Sequence, residues 1–329
     1  MLALPTITAA NGWEYQTLKA AGGNYTKMSD FEGQNRNLVT EEKGLCLTCD
    51  NLQDPQTAST GFVGWTTDVN RPIYIRAADK HLSKGAWTTN AYRMKPTLAG
   101  SATLTLGTLG ANGVIYFEGI QFFNDTASAA CITPSGGSAG SKAYFINCII
   151  HTDKAGGMGA YTGSTAIRLV FINCIIISEQ SHAVHNSAST PGDEFYNCVL
   201  WSRASGYGLY TFATLPNIIK NTYIGGASGA IFSTFASSTL TNVATSDADS
   251  PTAALRNCAF STTNFVNVTA GSYDLRTKAG SVLLNGGAAP DYPYDLAEEL
   301  RNPTTPDIGA LELVPYSAHR RNSLFVMGW

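Results

Sequence analysis

Four charged residues recur at similar intervals in the middle of the chain, and their side chains could together do chemistry. They are Asp125, Asp153, Glu179 and Arg203, and the intervals between them are 28, 26 and 24 residues. If each lies on a successive turn of a repeating structure, neighbouring side chains are roughly 5 Å apart. Two carboxyl groups at that separation suit the nucleophile and the acid of a retaining glycosidase, and stacked like charges raise the pKa of one of them.

The same column of residues permits two other interpretations. Carboxylate oxygens are also the ligands that Ca²⁺ prefers, so Ca²⁺ is the one cofactor that the column leaves open. Polar side chains in turns beyond strands are commonly solvated, in which case the column is ordinary surface. A glycan site, a metal site and a solvated face therefore remain open at this point.

The elements that must position this column are six short copies of one pattern. Each copy has an apolar residue two positions before a central Asn or Gly and two inward-looking residues one and three positions after it. The central residues are Gly119, Asn147, Asn173, Asn197, Asn221 and Asn257. The long interval before the last copy leaves room for a degenerate turn at residues 240–243. Short β-rich units that repeat every twenty to thirty residues are typical of a solenoid.

The alternation of inward and outward side chains changes parity at each central residue. A flat strand alternates with a period of two without interruption, so the backbone must bend there. Asn and Gly tolerate a left-handed bend, which accounts for Gly119 in the first copy. Stacking of the coils would let the amides form a ladder of hydrogen bonds. The predicted ladder consists of Asn147, Asn173, Asn197, Asn221 and Asn257.

These columns, which extend from about residue 100 to 270, resemble the right-handed parallel β-helix of the pectate-lyase-like superfamily. The resemblance implies an all-β, single-stranded solenoid with an N-terminal helical cap and a C-terminal cap. Residues 11–21 are predicted to form the helix that covers the open N-terminal end. Because this scaffold hosts lyases, hydrolases, adhesins and viral spikes, it does not define a function. The predicted divisions are 1–60 for the cap and first coils, 61–270 for the core, 271–315 for the C-terminal cap and 316–329 for a tail.

Four of the seven cysteines lie in one inward column, and these four are predicted to be buried thiols. The total of seven is odd, and such usage is typical of a reducing cytoplasm. Cys46 and Cys49 have zinc-ligand spacing, but the chain offers no second pair. His182 and His185 are interpreted as a structural or exposed pair. The predicted buried thiol stack consists of Cys148, Cys174, Cys198 and Cys258.

The outward-facing positions after each bend are too apolar for a wetted surface. Strands that are apolar on both faces are normally covered on both, so either a long loop or another protomer packs there. A subunit interface is favoured, with a homotrimer as the arrangement that the viral resemblance implies. The predicted interface residues are Phe123, Ile149, Ile175, Ile177, Val199, Trp201 and Tyr223, with Phe325 and Trp329 in the exposed tail.

The stretch Asp-Ile-Gly-Ala-x-Glu at residues 307–312 resembles the terminal segment of many secreted and surface β-helix proteins. Within that resemblance Arg301, Asp307 and Glu312 form a cap network of ion pairs and are not catalytic. The motif thus implies a structural role for the end of the chain.

The stretches at residues 64–68, 74–78 and 84–89 resemble the first coils of β-helix proteins of bacteriophages and prophages. The net charge is −3 and the basic residues are scattered, which argues against a nucleic-acid partner. No apolar run is long enough to span a membrane, and the start of the chain lacks the basic region of a signal peptide.

We therefore expect a non-enzymatic virion structural or spike protein, made in the host cytoplasm and extracellular in use. Its expected partners are other virion proteins and a host-surface polysaccharide. One alternative is a polysaccharide hydrolase or lyase, for which Asp125, Asp153, Glu179 and Arg203 are the candidate residues. A second is a secreted bacterial surface adhesin.

Overall fold

In the computed structural model the regular elements formed by the described residues are 26 short strands and two short helices. The described residues are 12–50, 53–56, 60–78, 88–89, 91–97, 99–126, 129–163, 167–187, 192–211, 216–232, 238–247, 255–298 and 300–313. The first elements are β1 (Trp13–Leu18), α1 (Met28–Glu32), α2 (Leu38–Glu41), β2 (Gly44–Cys49), β3 (Gln53–Gln56), β4 (Thr60–Phe62), β5 (Ile73–Ala77), β6 (Arg93–Pro96) and β7 (Leu104–Leu106). The central elements are β8 (Val114–Glu118), β9 (Gln121–Asn124), β10 (Ile132–Pro134), β11 (Lys142–Ile146), β12 (Ile149–Thr152), β13 (Ala160–Thr162), β14 (Arg168–Ile172), β15 (Ile175–Ser178) and β16 (Val184–Asn186). The last elements are β17 (Glu194–Tyr196), β18 (Val199–Ser202), β19 (Tyr207–Thr211), β20 (Ile218–Lys220), β21 (Tyr223–Gly226), β22 (Gly229–Phe232), β23 (Thr239–Thr241), β24 (Ala244–Thr245), β25 (Phe265–Asn267) and β26 (Asp274–Thr277).

The strands β1 to β24 form three parallel sheets that wind around one core. The first sheet has the order β1-β2-β5-β8-β11-β14-β17-β20-β23, the second β3-β6-β9-β12-β15-β18-β21-β24, and the third β4-β7-β10-β13-β16-β19-β22. Each complete coil contributes one strand to each sheet, and each strand pairs with its equivalent in the next coil. The all-β parallel β-helix predicted from the repeat is confirmed. None of the helices in the described part of the chain is long and apolar enough to cross a membrane.

Stacked phenylalanines fill the core beneath the first sheet. Phe117, Phe145, Phe171 and Phe195 follow one another with ring-centroid distances of 5.1, 5.1 and 5.3 Å, and each is 0% exposed. These are the residues two positions before the central Asn or Gly, so the inward column is explained by one ring per coil. Offset and parallel contacts between rings add to the stabilisation that comes from burying their apolar surface.

A left-handed residue joins the first sheet to the second in each coil. Gly119 has a φ of 70°, and Asn147, Asn173, Asn197 and Asn221 have φ values of 52°, 52°, 54° and 52°. The amide of Asn173 donates to Asn147, that of Asn197 to Asn173, and that of Asn221 to Asn197, at 3.0, 3.2 and 3.1 Å. The parity change in the sequence is therefore a bend, and the amides that cause it also link successive coils.

The last copy of the repeat does not continue this stack. Asn242, in the degenerate turn, has a φ of 49° and follows β23, so it occupies the next coil. Leu255 instead pairs with Ala244, which lies beyond the bend of that coil. Asn257 has a left-handed φ of 56°, but its backbone amide donates to the carbonyl of Asp247. The copy at residues 255–260 thus crosses the C-terminal end of the solenoid and leaves the asparagine column.

Three of the four predicted cysteines form a stack inside the bend. The Sγ atoms of Cys148, Cys174 and Cys198 donate to the carbonyls of Phe117, Phe145 and Phe171 on the preceding coils. Burial raises the pKa of Cys174 well above its usual value, so the thiol stays protonated and can donate. Cys258 lies outside this stack, in a separate apolar cluster, because its part of the chain has left the coil register.

The predicted N-terminal helix at residues 11–21 is wrong. Residues Trp13 to Leu18 form β1, which pairs in parallel with all six residues of β2. Apolar residues at this spacing suit either structure, and pairing along a ready sheet edge outweighs the marginal stability of so short a helix. The covering role falls to α1, whose Met28 and Phe31 are buried in the core.

The outer face of the second sheet is covered by the chain itself at β15, β18, β21 and β24. Its residues pack with those of the C-terminal segment, by which we mean residues 258–313 as far as they are described. The ring of Phe260 stacks on Trp201 with a centroid distance of 4.0 Å, and Phe265 contacts Tyr223 edge to face at 5.3 Å. Ile175, Ile177 and Val199 are buried in the same cluster. This is the long-loop alternative, so these residues and Trp201 and Tyr223 give no support to a subunit interface.

Arg301 fastens the C-terminal segment to the asparagine ladder. The residue is 2% exposed. Its guanidinium forms an ion pair with Glu312 at 2.7 Å and donates to Asn173 Oδ1 at 3.2 Å and to the carbonyl of Gly309 at 3.0 Å. Asp307 accepts from the backbone amides of Asn285 and Leu313 at 2.9 and 2.7 Å. The network therefore lies along the side of the solenoid, where it holds the segment to the bend.

Candidate functional site

The candidate column lies directly after four neighbouring strands of the second sheet. Asp125, Asp153, Glu179 and Arg203 each follow the last residue of a strand, and those last residues pair in register across the sheet. The backbone hydrogen bonds of the sheet continue through these positions. The amides of Asp153, Glu179 and Arg203 donate to the carbonyls of the last strand residues on the preceding coil, which are Asn124, Thr152 and Ser178. The structure thus places the four residues in one row parallel to the solenoid axis.

A cleft of about 440 Å³ opens beside this row, between the second sheet and the C-terminal segment. Ile149, Ile175 and Ile177 form its apolar side, and Ala270, Gly271 and Tyr273 come from the C-terminal segment. The remaining lining residues are Phe123, His151, Asp153, Glu179, Gln180 and Arg203. A volume of this size is within the range of small-ligand sites, which combine an apolar lining with a few fixed polar groups.

Glu179 is the centre of the polar network in the cleft. The residue is 5% exposed, and its Oε1 accepts from the Tyr273 hydroxyl at 2.7 Å and lies 3.0 Å from His151 Nε2. Its Oε2 accepts from Arg203 Nη1 at 3.1 Å. Both oxygens are therefore engaged, by residues from two coils and from the C-terminal segment.

These contacts keep Glu179 ionised. Burial raises the pKa of the Glu179 carboxyl, but the hydrogen bonds from His151, Tyr273 and Arg203 outweigh burial and bring the pKa below its ordinary value. Burial and the Glu179 carboxylate together raise the pKa of Tyr273, so its hydroxyl remains a donor. A carboxylate with these properties is a fixed anion that orients its neighbours, and it is a poor proton donor.

The other charged residues of the row have different surroundings. Asp125 forms an ion pair with Lys95 at 2.7 Å, and the Lys95 ammonium lies 5.2 Å from the centre of the Phe123 ring. Asp153 forms no ion pair or side-chain hydrogen bond with any residue that the structure describes, and its Oδ1 is buried without a partner. The row therefore contains two paired carboxylates with an unpaired one between them.

The other sequence candidates lie elsewhere. His182 and His185 pack with Tyr210 on the third sheet, at ring distances of 4.2 and 4.8 Å, and neither lines the cleft. Burial and His185 lower the pKa of His182 to about 4, and its Nδ1 accepts from the backbone amide of Tyr207. The tail residues Phe325 and Trp329 lie outside the described residues.

No metal centre is formed within the described ranges, since no group of three His, Cys, Asp or Glu side chains there is arranged to hold a metal ion. Cys46 and Cys49 are free and buried on β2. They belong to different apolar clusters, as expected for residues on opposite faces of a strand.

Sequence reasoning missed two residues that complete the site. His151 was visible only as one polar member of an otherwise apolar outward column. Tyr273 is 94 positions from Glu179, and no local pattern indicates that its hydroxyl reaches that carboxylate. The available signal was the polar His151 at a position where the neighbouring coils carry Phe123 and Ile177.

Comparison with solved structures finds two similar chains. The pectin methylesterase from Aspergillus niger in deglycosylated form is 11% identical with a TM-score of 0.39, over 69% of this chain and 83% of that chain. Pectate lyase Pel9A is 13% identical with a TM-score of 0.37, over 92% of this chain and 98% of that chain. No protein-family model matches the chain, and no curated protein matches it.

Proposed function

We propose that the protein is a non-enzymatic glycan-binding β-helix and that the cleft beside Glu179 is its binding site. The observation that carries the proposal is the state of Glu179, whose two oxygens are held by three partners and whose pKa is lowered. A general acid needs a pKa near the working pH, which this carboxyl group does not have. A fixed polar network beside an apolar surface is instead what orients a bound ligand.

The groups at the cleft suit the hydroxyls and apolar faces of a sugar. Arg203 has a side chain that is 54% exposed, so it can donate to a ligand while it contacts Glu179. Phe123 is half-buried and supplies apolar surface, and Asp153 supplies an acceptor. Since the scaffold holds these groups on adjacent coils, binding requires little ordering of side chains, which favours affinity.

The biological setting that we propose is a bacteriophage virion in which the rod displays this cleft to a host-surface polysaccharide. The support is the resemblance of residues 64–68 and 74–78 to first coils of phage β-helices. A trimer is not part of the proposal, because the C-terminal segment covers the apolar face that suggested one. Detection of the protein in purified phage particles by mass spectrometry tests this setting, and its absence from them contradicts it.

Asp153 favours a second candidate function, the hydrolysis of a polysaccharide. Its Oδ1 is buried and unpartnered. Asp153 follows β12 and Glu179 follows the neighbouring strand β15, so the two carboxyl groups share one cleft. A pair of carboxyl groups beside a glycosidic bond is the usual apparatus of glycosidases. In this case Asp153 would act as the acid and Glu179 as the fixed anion.

A single experiment separates binding from hydrolysis. The protein is incubated with a panel of bacterial surface polysaccharides, and both retention of the protein and new reducing ends are measured. The proposal predicts retention on at least one polysaccharide without new reducing ends. New reducing ends that disappear in Asp153→Asn would establish hydrolysis, and failure to bind any member would contradict glycan binding.

A further inference from the structure

The charges around the cleft are paired except at one position. Lys95 neutralises Asp125 at 2.7 Å at one end of the row, and Arg203 contacts Glu179 at 3.1 Å at the other. Asp153 lies between them without a cationic partner in the described part of the chain. The four charged side chains of the row together with Lys95 therefore carry a net charge of −1. The unpaired negative charge is that of Asp153.

Asp153 lacks what a buried carboxylate oxygen normally has. Its Oδ1 is inaccessible to water and has no hydrogen-bond partner, although such oxygens rarely remain unsatisfied. The carboxylate lines the cleft, so a ligand there meets an acceptor without a competing donor from the protein. A ligand hydroxyl could donate to the carboxylate where it lines the cleft, whereas a ligand carboxylate would face an unpaired like charge.

We infer that the cleft selects an uncharged sugar that donates a hydroxyl to Asp153 and that it rejects the corresponding uronate. The inference rests on the proposed glycan-binding function and adds the class of glycan to it. Arg203 does not reverse the preference, because its charge is already shared with Glu179. The unpaired carboxylate thus decides the chemical class.

Pairs of oligosaccharides that differ only at C6 test this selection. Galactotriose and trigalacturonate form one pair, and the gluco and manno series provide two more with different stereochemistry. Dissociation constants are measured by calorimetry at fixed ionic strength, because charge effects are screened by salt. We expect the neutral member of the binding pair to bind at least about tenfold more tightly.

Substitution of the carboxylate supplies the decisive comparison. Asp153→Asn keeps an acceptor oxygen and removes the charge, so the ratio of uronate to neutral dissociation constants should fall about tenfold towards one. Asp50→Asn is the matched control, since Asp50 lies outside the cleft and pairs with Lys19 at 3.7 Å. That variant should leave the ratio unchanged.

The outcomes distinguish this inference from the function on which it rests. Tighter binding of the uronate, or a ratio that Asp153→Asn does not change, overturns the selection of uncharged sugars while glycan binding stands. If no member of any pair binds, glycan binding itself is contradicted. A folded Asp153→Asn variant is verified by an unchanged circular dichroism spectrum.

Discussion

Substitution of Arg301 by Met should release the C-terminal segment from the side of the solenoid. The variant removes the ion pair with Glu312 and the hydrogen bonds to Asn173 and to the carbonyl of Gly309. It also leaves Glu312 without its buried cation. Removing one partner of a buried pair costs about 3–5 kcal/mol, because the other charge stays desolvated.

The cost should depend on pH because Glu312 titrates in the accessible range. Burial raises its pKa to about 7 although Arg301 opposes the shift. A carboxyl group with a raised pKa favours folding most at low pH, and that contribution is lost as the pH rises through 7. Without Arg301 the pKa rises further, so Glu312 accepts a proton near pH 6. The loss caused by Arg301→Met should therefore be smaller at pH 6 than at pH 8.

Hydrogen exchange followed by mass spectrometry measures this loss locally. Peptides from the C-terminal segment should exchange with an opening free energy lowered by about 3–5 kcal/mol at pH 8, while peptides from β11 and β14 keep their protection. Arg71→Met is the matched control, because Arg71 pairs with Asp68 near the surface at 3.2 Å and should cost less than about 1 kcal/mol. A loss below about 1 kcal/mol for Arg301→Met, or an equal loss in the core strands, would refute the account.

Three further predictions concern the core and the ladder. Asn197→Ala should lower the free energy of unfolding by about 3 kcal/mol in guanidinium titrations, because it removes two hydrogen bonds of the ladder and places Ala at a left-handed φ. Asn197→Gly should lose about 1 kcal/mol less, and equal losses would contradict the bend. Burial raises the pKa of Asp193 to about 7, so its contribution to stability should decline as the pH rises from about 4 to 7. Asp193→Asn should therefore remove part of the decrease of the urea midpoint with pH over that range. Cys198→Thr should change the melting temperature little, because Thr222 fills the same position one coil later and its hydroxyl donates to the carbonyl of Phe195. A decrease of more than about 8 °C would contradict this prediction.

The coils could be predicted because their signal is local and repeated. One side chain per coil occupies each inward column, and the parity change at Asn147 and Asn173 requires a bend whatever the rest of the chain does. The motif around Gly309 also has a local cause, since its φ of 116° is one that other residues avoid. Such features depend on the backbone and on immediate neighbours, so the sequence contains them directly.

The remaining features depend on where distant parts of the chain come together. Residues 13–18 have a spacing that suits a helix or a strand, and only the partner β2 decides between them. The apolar outer positions Val199 and Trp201 indicate that something covers them, but they do not distinguish a second protomer from the chain's own end. The contact between Tyr273 and Glu179 arises from the same docking, so the complete site was not visible from the repeat.

Titration of a glycan into paired variants tests the central claim that the cleft binds glycans. The polysaccharide of the panel that retains the protein is cleaved to an oligosaccharide. This oligosaccharide is titrated into the wild type, Arg203→Gln and Arg71→Gln by calorimetry. We expect Arg203→Gln to bind at least about tenfold more weakly, since it removes a charged donor at the cleft, and Arg71→Gln to bind like the wild type. Equal affinity in all three proteins would contradict binding at the cleft, and cleavage of the oligosaccharide by the wild type would contradict a non-enzymatic role.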